Sequence, residues 1–269
     1  MSSEDVVVPD EWIRLAHRLA DAAREQTVPR FRTALTVDDK AAGAFDPVTI
    51  ADREAERVMR EILAEEVPDH GVLGEEHGER VSDSPWRWVL DPIDGTRAYI
   101  AGFPTWVTLV GLCHQGRPVY GIIDAPASDD RWAGGSARPA GAVRACPDLS
   151  QAILSTTSPE LFRRGADRAA WQALSARSRM RRYGGDGYAY GLVANGLVDA
   201  VVESGLKAVD VMAVIPVVRA AGGIVTGWDG GDALRGHLVA AGDRRVHAQI
   251  LEILAACGAT AQTVARAGG

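Results

Sequence analysis

Apolar positions recur along this chain with two different periods, and the changes between them mark out its elements. Trp12, Leu15, Ala16, Leu19 and Ala23 return every three or four residues, which predicts an amphipathic helix over about 10–30. Ala55, Val58, Met59, Ile62 and Leu63 predict a second helix, led in by Asp52 and stopped by Pro68. Val72-Leu73-Gly74 reads as a short buried strand ending in Glu75-Glu76. Trp86-Arg87-Trp88-Val89-Leu90 reads as a strand ending at Asp91. The runs 106–113 and 119–123, joined by His114-Gln115-Gly116-Arg117, predict a hairpin. The Gly- and Ala-rich stretch 131–141 is expected to be irregular surface chain, with room for one more strand.

The rhythm changes near Ser150. Ile153-Leu154 predicts a strand, 159–176 a helix, Arg182-Tyr183 a strand end and 188–195 a helix. A strand at 200–202 and a helix at 211–221 follow, with Pro216 near that helix's first turn, where proline is tolerated. Strands at Ile224-Val225 and 238–240 and a helix over 246–256 complete the chain. This alternation predicts a second, α/β layer. We therefore expect an N-terminal α+β half over 1–148, with an antiparallel sheet and the metal-binding motifs. A C-terminal α/β half over 149–269 is expected to carry the substrate-binding residues. No internal repeat or low-complexity segment is present, apart from a polar Ala/Gly tail after Cys257 that is expected to fray.

Composition narrows the function. Hydrophobic residues make up 46% of the 269, enough for a sizeable core. A net charge of −7 and a pI near 5.4 argue against a nucleic-acid partner. They also sit oddly with an anionic substrate, unless bound divalent cations reverse the balance locally. The three cysteines, Cys113, Cys146 and Cys257, are far apart and lack metal spacing, so neither a disulfide framework nor a thiolate site is expected. The acidic start carries no signal-like apolar stretch, and no run approaches a membrane span. The expectation is a soluble cytoplasmic protein with no membrane partner.

The chemistry concentrates in Asp91-Pro92-Ile93-Asp94-Gly95-Thr96, at the end of a predicted buried strand. Two carboxylates three positions apart, a proline bend that turns the Ile93 carbonyl the same way, and a Gly-Thr step make a compact hard-cation site. Oxygen-only ligands of this kind suit Mg²⁺ or Mn²⁺ rather than zinc. Further acids stand after apolar runs or at helix starts: Asp52, Glu75, Glu76 and Asp210. Taken singly, Asp52 and Asp210 read as helix caps. The six histidines show no paired spacing, and His77 reads as a surface loop residue.

Taken together, these stretches resemble the inositol monophosphatase superfamily of Mg²⁺-dependent phosphatases. The resemblance rests on Asp46-Pro47-Val48-Thr49-Ile50-Ala51-Asp52, Gly74-Glu75-Glu76, Trp88 through Thr96, and Asp210 through Gly222-Gly223, and spans roughly 10–255. Within the superfamily the chain is most similar to the histidinol-phosphatases. That similarity lies in Asp94 through Gly102, Pro104-Thr105-Trp106, Arg182 through Asp186 with Tyr188-Ala189-Tyr190, and Val202 through Lys207. The fold this implies is α/β (α+β), a layered αβαβα sandwich of the sugar-phosphatase type. The implied cofactor is two or three Mg²⁺ ions, with Mn²⁺ able to substitute, and the implied assembly is a homodimer.

The resemblance places metal ligands at Glu75, Asp91, the Ile93 carbonyl, Asp94 and Asp210. It assigns Glu75 and Thr96 to the attacking water, with Asp52 bonded to Thr96, and the phosphate to the N–H groups of Gly95 and Thr96. Gly184, Gly185, Asp186 and Glu203 fall at the leaving-group side. An acid at Asp186 suits a cationic amino-alcohol or a protonated imidazole, both present on L-histidinol phosphate. Asp186 is equally placed to cap the helix at 188–195, and the two roles are compatible. The implied reaction is hydrolysis of L-histidinol phosphate in histidine biosynthesis. The alternatives are an inositol-1-phosphate or broad sugar-phosphate phosphatase and, from another class, a catalytically inactive binding or regulatory relative. The chain departs from the pattern at Val107, where glycine is expected, at Gly187, where cysteine is common, and at Ala208-Val209. Two extra residues fall around Ala42 to Phe45, with Lys40 beside them.

Overall fold

A computed structural model describes residues 6–34, 36–39, 47–135, 141–163 and 165–259. The first helix, α1 (Asp10–Thr27), has Asp10 and Glu11 in its opening turn, where negative charge meets the positive end of the helix dipole. It stops short of the expected residue 30 because Pro29 diverts Val28–Arg30 into a 3₁₀ turn. Two short strands, β1 (Val37–Asp39) and β2 (Pro47–Thr49), pair antiparallel. Lys40 and the Ala42 to Phe45 segment lie outside the described residues. The second helix, α2 (Ile50–Glu66), opens on a capping box: Thr49 Oγ1 accepts from the Ala51 N–H, and Asp52 Oδ2 accepts from the Thr49 N–H at 2.9 Å.

Six strands form the larger sheet: β3 (Gly71–Gly74), β4 (Gly78–Arg80), β5 (Trp86–Asp94), β6 (Val107–His114), β7 (Arg117–Ala125) and β8 (Asp130–Gly135). Their order is β4-β3-β5-β6-β7-β8, antiparallel except for the parallel pair β3 and β5. A short helix, α3 (Thr96–Ala101), follows β5. The expected hairpin is β6–β7. Within the stretch 131–141, expected to be mostly irregular with room for one strand, residues up to Gly135 belong to the edge strand β8. Trp132 and Ala133 supply it with an apolar side chain for each face, and 136–140 lie outside the described residues.

The smaller sheet holds β9 (Ile153–Thr156), β10 (Met180–Tyr183), β11 (Ala200–Ser204), β12 (Ile224–Thr226) and β13 (His237–Ala241), in the order β10-β9-β11-β13-β12. The helices of this half are α4 (Gly165–Arg177), α5 (Asp186–Ala194), α6 (Ala208–Val211), α7 (Val214–Ala220) and α8 (Arg244–Ala256). Two expected helices are interrupted. The one predicted over 159–176 begins as a 3₁₀ turn, Pro159–Leu161, and resumes as α4. The one predicted over 211–221 is split into α6 and α7, with Pro216 in the first turn of α7 as expected. Asp210 therefore lies inside α6 rather than ahead of a helix.

Strand alternation sorts the core into layers. On β6, Val110 and Leu112 face α1 and α2 together with Leu19, Met59 and Trp88. Val107 and Leu109 face the other way, onto α5 and α7 with Val193, Val214 and Val217. On β11 and β13, Val201, Leu238 and Ala240 meet this same middle layer, while Val202 and Val239 pack on α4 and α8 with Leu174 and Ile250. The result is the expected αβαβα sandwich, and the two halves assigned from sequence share its middle helical layer.

Candidate active site

The parallel pairing of β3 and β5 sets Gly74 beside Leu90, so Glu75, just past the end of β3, and Asp91, within β5, follow at the same level. The Glu75 N–H donates to the Leu90 carbonyl at 3.2 Å. Asp91 and Asp94, three apart, would face opposite sides of a regular strand. Here Asp91 pairs with Leu109 and Asp94 with Val107, so β5 has one residue more than β6 over this stretch. That bulge reverses the alternation and brings both carboxylates to one side. Ile93 is turned inward, onto Ala51, Tyr99 and Trp106. The bulge is held by the Thr108 hydroxyl, which donates to the Pro92 carbonyl at 2.7 Å, and by the Thr96 hydroxyl, which donates to the Ile93 carbonyl at 3.0 Å.

Asp210 arrives from the other half. Val209 packs with Val89 and Cys113, which pins α6 against β5 and β6. The Lys207 N–H donates to Asp210 Oδ2 at 2.6 Å. One oxygen each of Asp91, Asp94 and Asp210 then lie within 4.8 Å of one another. Asp52 and Asp210 both carry the cap bonds that sequence alone suggested, yet Asp52 is buried and its charge is felt at Asp91.

Burial and crowding raise these acids. Burial, then the charges of Glu75, Asp94 and Asp210, hold Asp91 well above the usual carboxylate range. Asp94 is raised by burial and then by Asp186 and Asp210, against the Gly187 N–H that donates to it. Burial brings Asp210 up to about 6. Asp91 Oδ1 is buried with no hydrogen-bond partner among the described residues. Clustered oxygen donors of like charge, one of them an orphaned buried oxygen, fit a hard divalent cation. Glu75 stands at the edge, its Oε1 3.6 Å from Lys207 Nζ.

A second group of acids faces this cluster. Glu203 on β11 is buried, accepts from the Thr157 N–H at 2.6 Å and the Thr156 hydroxyl at 3.2 Å, and is pushed up to about 7 by burial. Gly184 donates to the Thr157 carbonyl at 2.9 Å, and Gly185 precedes α5. Asp186 opens α5 at φ +40, in a region that side-chain-bearing residues rarely occupy. Burial raises its carboxyl, while Thr157 and Arg97 oppose the shift. Gly95 sits against it: a Cβ there would lie 3.1 Å from Asp186 Oδ2. A cavity of about 20 Å³ is lined by Asp94, Thr157, Asp186, Tyr190, Glu203 and Asp210, room for one small polar group.

The structure thus gathers Asp91, Asp94 and Asp210, sets Glu75 beside them, and lines the adjoining cavity with Asp186 and Glu203, while Gly184 is exposed and Gly184 and Gly185 do not line it. Sequence reasoning missed Thr157, which ties Asp186 to Glu203, and Glu56. The signal for Glu56 was its spacing: it stands four residues after Asp52, on the face that carries Met59 and Leu63. His77 is exposed, as expected, and all three cysteines are free. No helix among the described residues is long and apolar enough to cross a membrane.

The inositol monophosphatase family model matches residues 8–259. A chloroplastic bifunctional phosphatase of Arabidopsis thaliana is 40% identical over 91% of this chain and 75% of its own length. The histidinol-phosphatase of Mycobacterium tuberculosis is 36% identical over 89% of this chain and 96% of its own. A solved inositol monophosphatase from Zymomonas mobilis is 41% identical, with a TM-score of 0.83 over 93% of this chain and 100% of that one.

Proposed function

Because the chain belongs to the inositol monophosphatase family, we propose that it is an Mg²⁺-dependent phosphatase that hydrolyses L-histidinol phosphate to L-histidinol and phosphate. The observation that carries the substrate is the pair of buried acids, Asp186 and Glu203, joined through Thr157 and facing the Asp91–Asp94–Asp210 cluster. A small anionic cavity beside the phosphate position suits a leaving alcohol that carries an ammonium group.

In this reading Glu75, Asp91, the Ile93 carbonyl, Asp94 and Asp210 would hold two or three ions. Bound Mg²⁺ would neutralise the phosphoryl oxygens and acidify a water. Glu75 and Thr96 orient the attacking water, and Asp52 supports Thr96 from α2. The N–H groups of Gly95 and Thr96 receive the phosphate, and Asp186 and Glu203 hold the departing alcohol. The protein would act as a cytoplasmic homodimer.

A second reading, an inositol-1-phosphate phosphatase, is favoured by the 41% identity to the Zymomonas enzyme. Phosphate release from histidinol phosphate, inositol 1-phosphate and glycerol 2-phosphate, at one Mg²⁺ concentration, separates the two. The first reading requires the highest kcat/KM on histidinol phosphate. Preference for inositol 1-phosphate would replace it with the second, and no cation-dependent turnover of any monoester would remove both.

A further inference from the structure

Four residues after Asp52, α2 presents a second buried acid, Glu56, with a fully inaccessible side chain. Its Oε2 accepts the Glu76 N–H at 2.6 Å. Its Oε1 accepts the His77 N–H at 3.1 Å and Arg60 Nε at 2.6 Å. Arg60 also donates to the Gly78 carbonyl. One turn of α2 therefore grips the Glu75–His77 turn between β3 and β4 at two amides and at its far end. The approach is close enough to dictate Gly74: a Cβ there would fall 2.0 Å from Glu56 Oε1.

The geometry points to Glu56 as a positioning residue that holds Glu75 in the metal cluster before any cation arrives. Glu75 is bracketed by two anchors. Its own N–H is tied to the Leu90 carbonyl, next to Asp91, and the two following N–H groups are tied to Glu56. Only a carboxylate offers acceptors on both oxygens; an amide would set an NH₂ group against one N–H or against Arg60. Arg60 balances the buried charge. The same face of α2 thus delivers Asp52 to the cluster and Glu56 to the turn behind Glu75. This inference rests on the proposal that Glu75 is a metal ligand.

The test is calorimetric titration of Mn²⁺ into the purified chain without substrate, for wild type, Glu56→Gln and Glu75→Gln. Loss of a residue that orients a ligand typically weakens metal binding by about 10–100-fold. We expect Glu56→Gln to fall in that range, while kcat at saturating metal stays within about threefold of wild type. A lower melting temperature with Mn²⁺ affinity within about twofold of wild type would make Glu56 merely structural and overturn the proposal. If Glu75→Gln weakens Mn²⁺ and Glu56→Gln does not, Glu56 alone fails. If neither does, the assignment of Glu75 fails too. Hydrogen exchange on the metal-free wild type needs no variant. The Glu76 and His77 amides are expected to be protected, and fast exchange that slows only with Mn²⁺ would show the metal, not Glu56, ordering the turn.

Discussion

Gly187 and Val107 share one space beside Asp94: a Cβ on Gly187 would stand 2.6 Å from Val107 Cγ2 and 2.4 Å from Asp94 Oδ2. These are the two positions where the resemblance leads one to expect glycine, at 107, and, in the histidinol-phosphatase subfamily, cysteine, at 187. With no Cβ at 187, Val107 Cγ2 occupies that space, so volume at one position is exchanged against volume at the other. The exchange also leaves the Gly187 N–H free of side-chain bulk where it donates to Asp94.

That exchange predicts coupling. Gly187→Ala should overpack the site and cost about 1–3 kcal/mol in urea denaturation. Adding Val107→Gly to it should recover part of the loss, giving a coupling energy of about 0.5–3 kcal/mol. Strictly additive effects would separate the two positions.

Asp94→Asn removes one anion from the cluster of three while keeping its shape. It should abolish most phosphate release and shift the Mg²⁺ requirement upward, with an unchanged circular dichroism spectrum. Wild-type turnover at low Mg²⁺ would take Asp94 out of the site.

Thr96→Ala should lower kcat more than it raises KM, because the hydroxyl is assigned to the water and not to the substrate. Its present bond to the Ile93 carbonyl means that the backbone bulge also loses a tie. A loss wholly in KM would contradict the assignment.

Asp186→Asn keeps the size of the side chain and removes its charge. A charge-assisted contact to a substrate ammonium contributes about 1.5–3 kcal/mol, so kcat/KM on histidinol phosphate should fall by roughly tenfold or more. Turnover of glycerol 2-phosphate should change little. Equal losses on both substrates would make Asp186 structural, a role its φ of +40 at the start of α5 would suit.

The raised acids set a pH dependence. Asp210 rises from 3.8 to about 6 and Glu203 from 4.5 to about 7, both chiefly through burial. The folded state binds these protons more tightly than the unfolded chain does. Their contribution to stability is therefore complete below about pH 4 and is lost as pH climbs through 6 and 7. The metal-free protein should lose this contribution to its Tm across that window, and the gain in Tm on adding Mg²⁺ should grow with pH over the same range. Glu203→Gln should flatten the metal-free slope. A Mg²⁺ effect independent of pH would contradict the account.

Much of this protein was legible in its sequence. Local periodicity determined most of the helices and strands, because an amphipathic helix or a half-buried strand must repeat its apolar residues at a fixed interval. The residues 91–96 pointed to a cation site, because two carboxylates, a proline bend and a Gly-Thr step within six positions leave few other uses, and two of the three clustered acids come from them. Elements without a strong period were only loosely placed: β8 was allowed for within a stretch expected to be mostly irregular, and the helix expected over 211–221 is broken, with α6 ending at Val211 and α7 starting at Val214.

Only the tertiary structure decided how these parts meet. The β5 bulge puts Asp91 and Asp94 on one side of a strand whose alternation would separate them. Packing of Val209 on Val89 and Cys113 brings Asp210 across the layers to join them. The spacing of Glu56 puts it on the buried face of α2, but what it holds is decided only when the β3–β4 turn is folded over it. Gly187 and Val107 look like unrelated departures until α5 is laid against β6. Spacing along a chain records which residues share an element. Which residues share a space depends on how the layers stack, and that is set by contacts between segments distant in sequence.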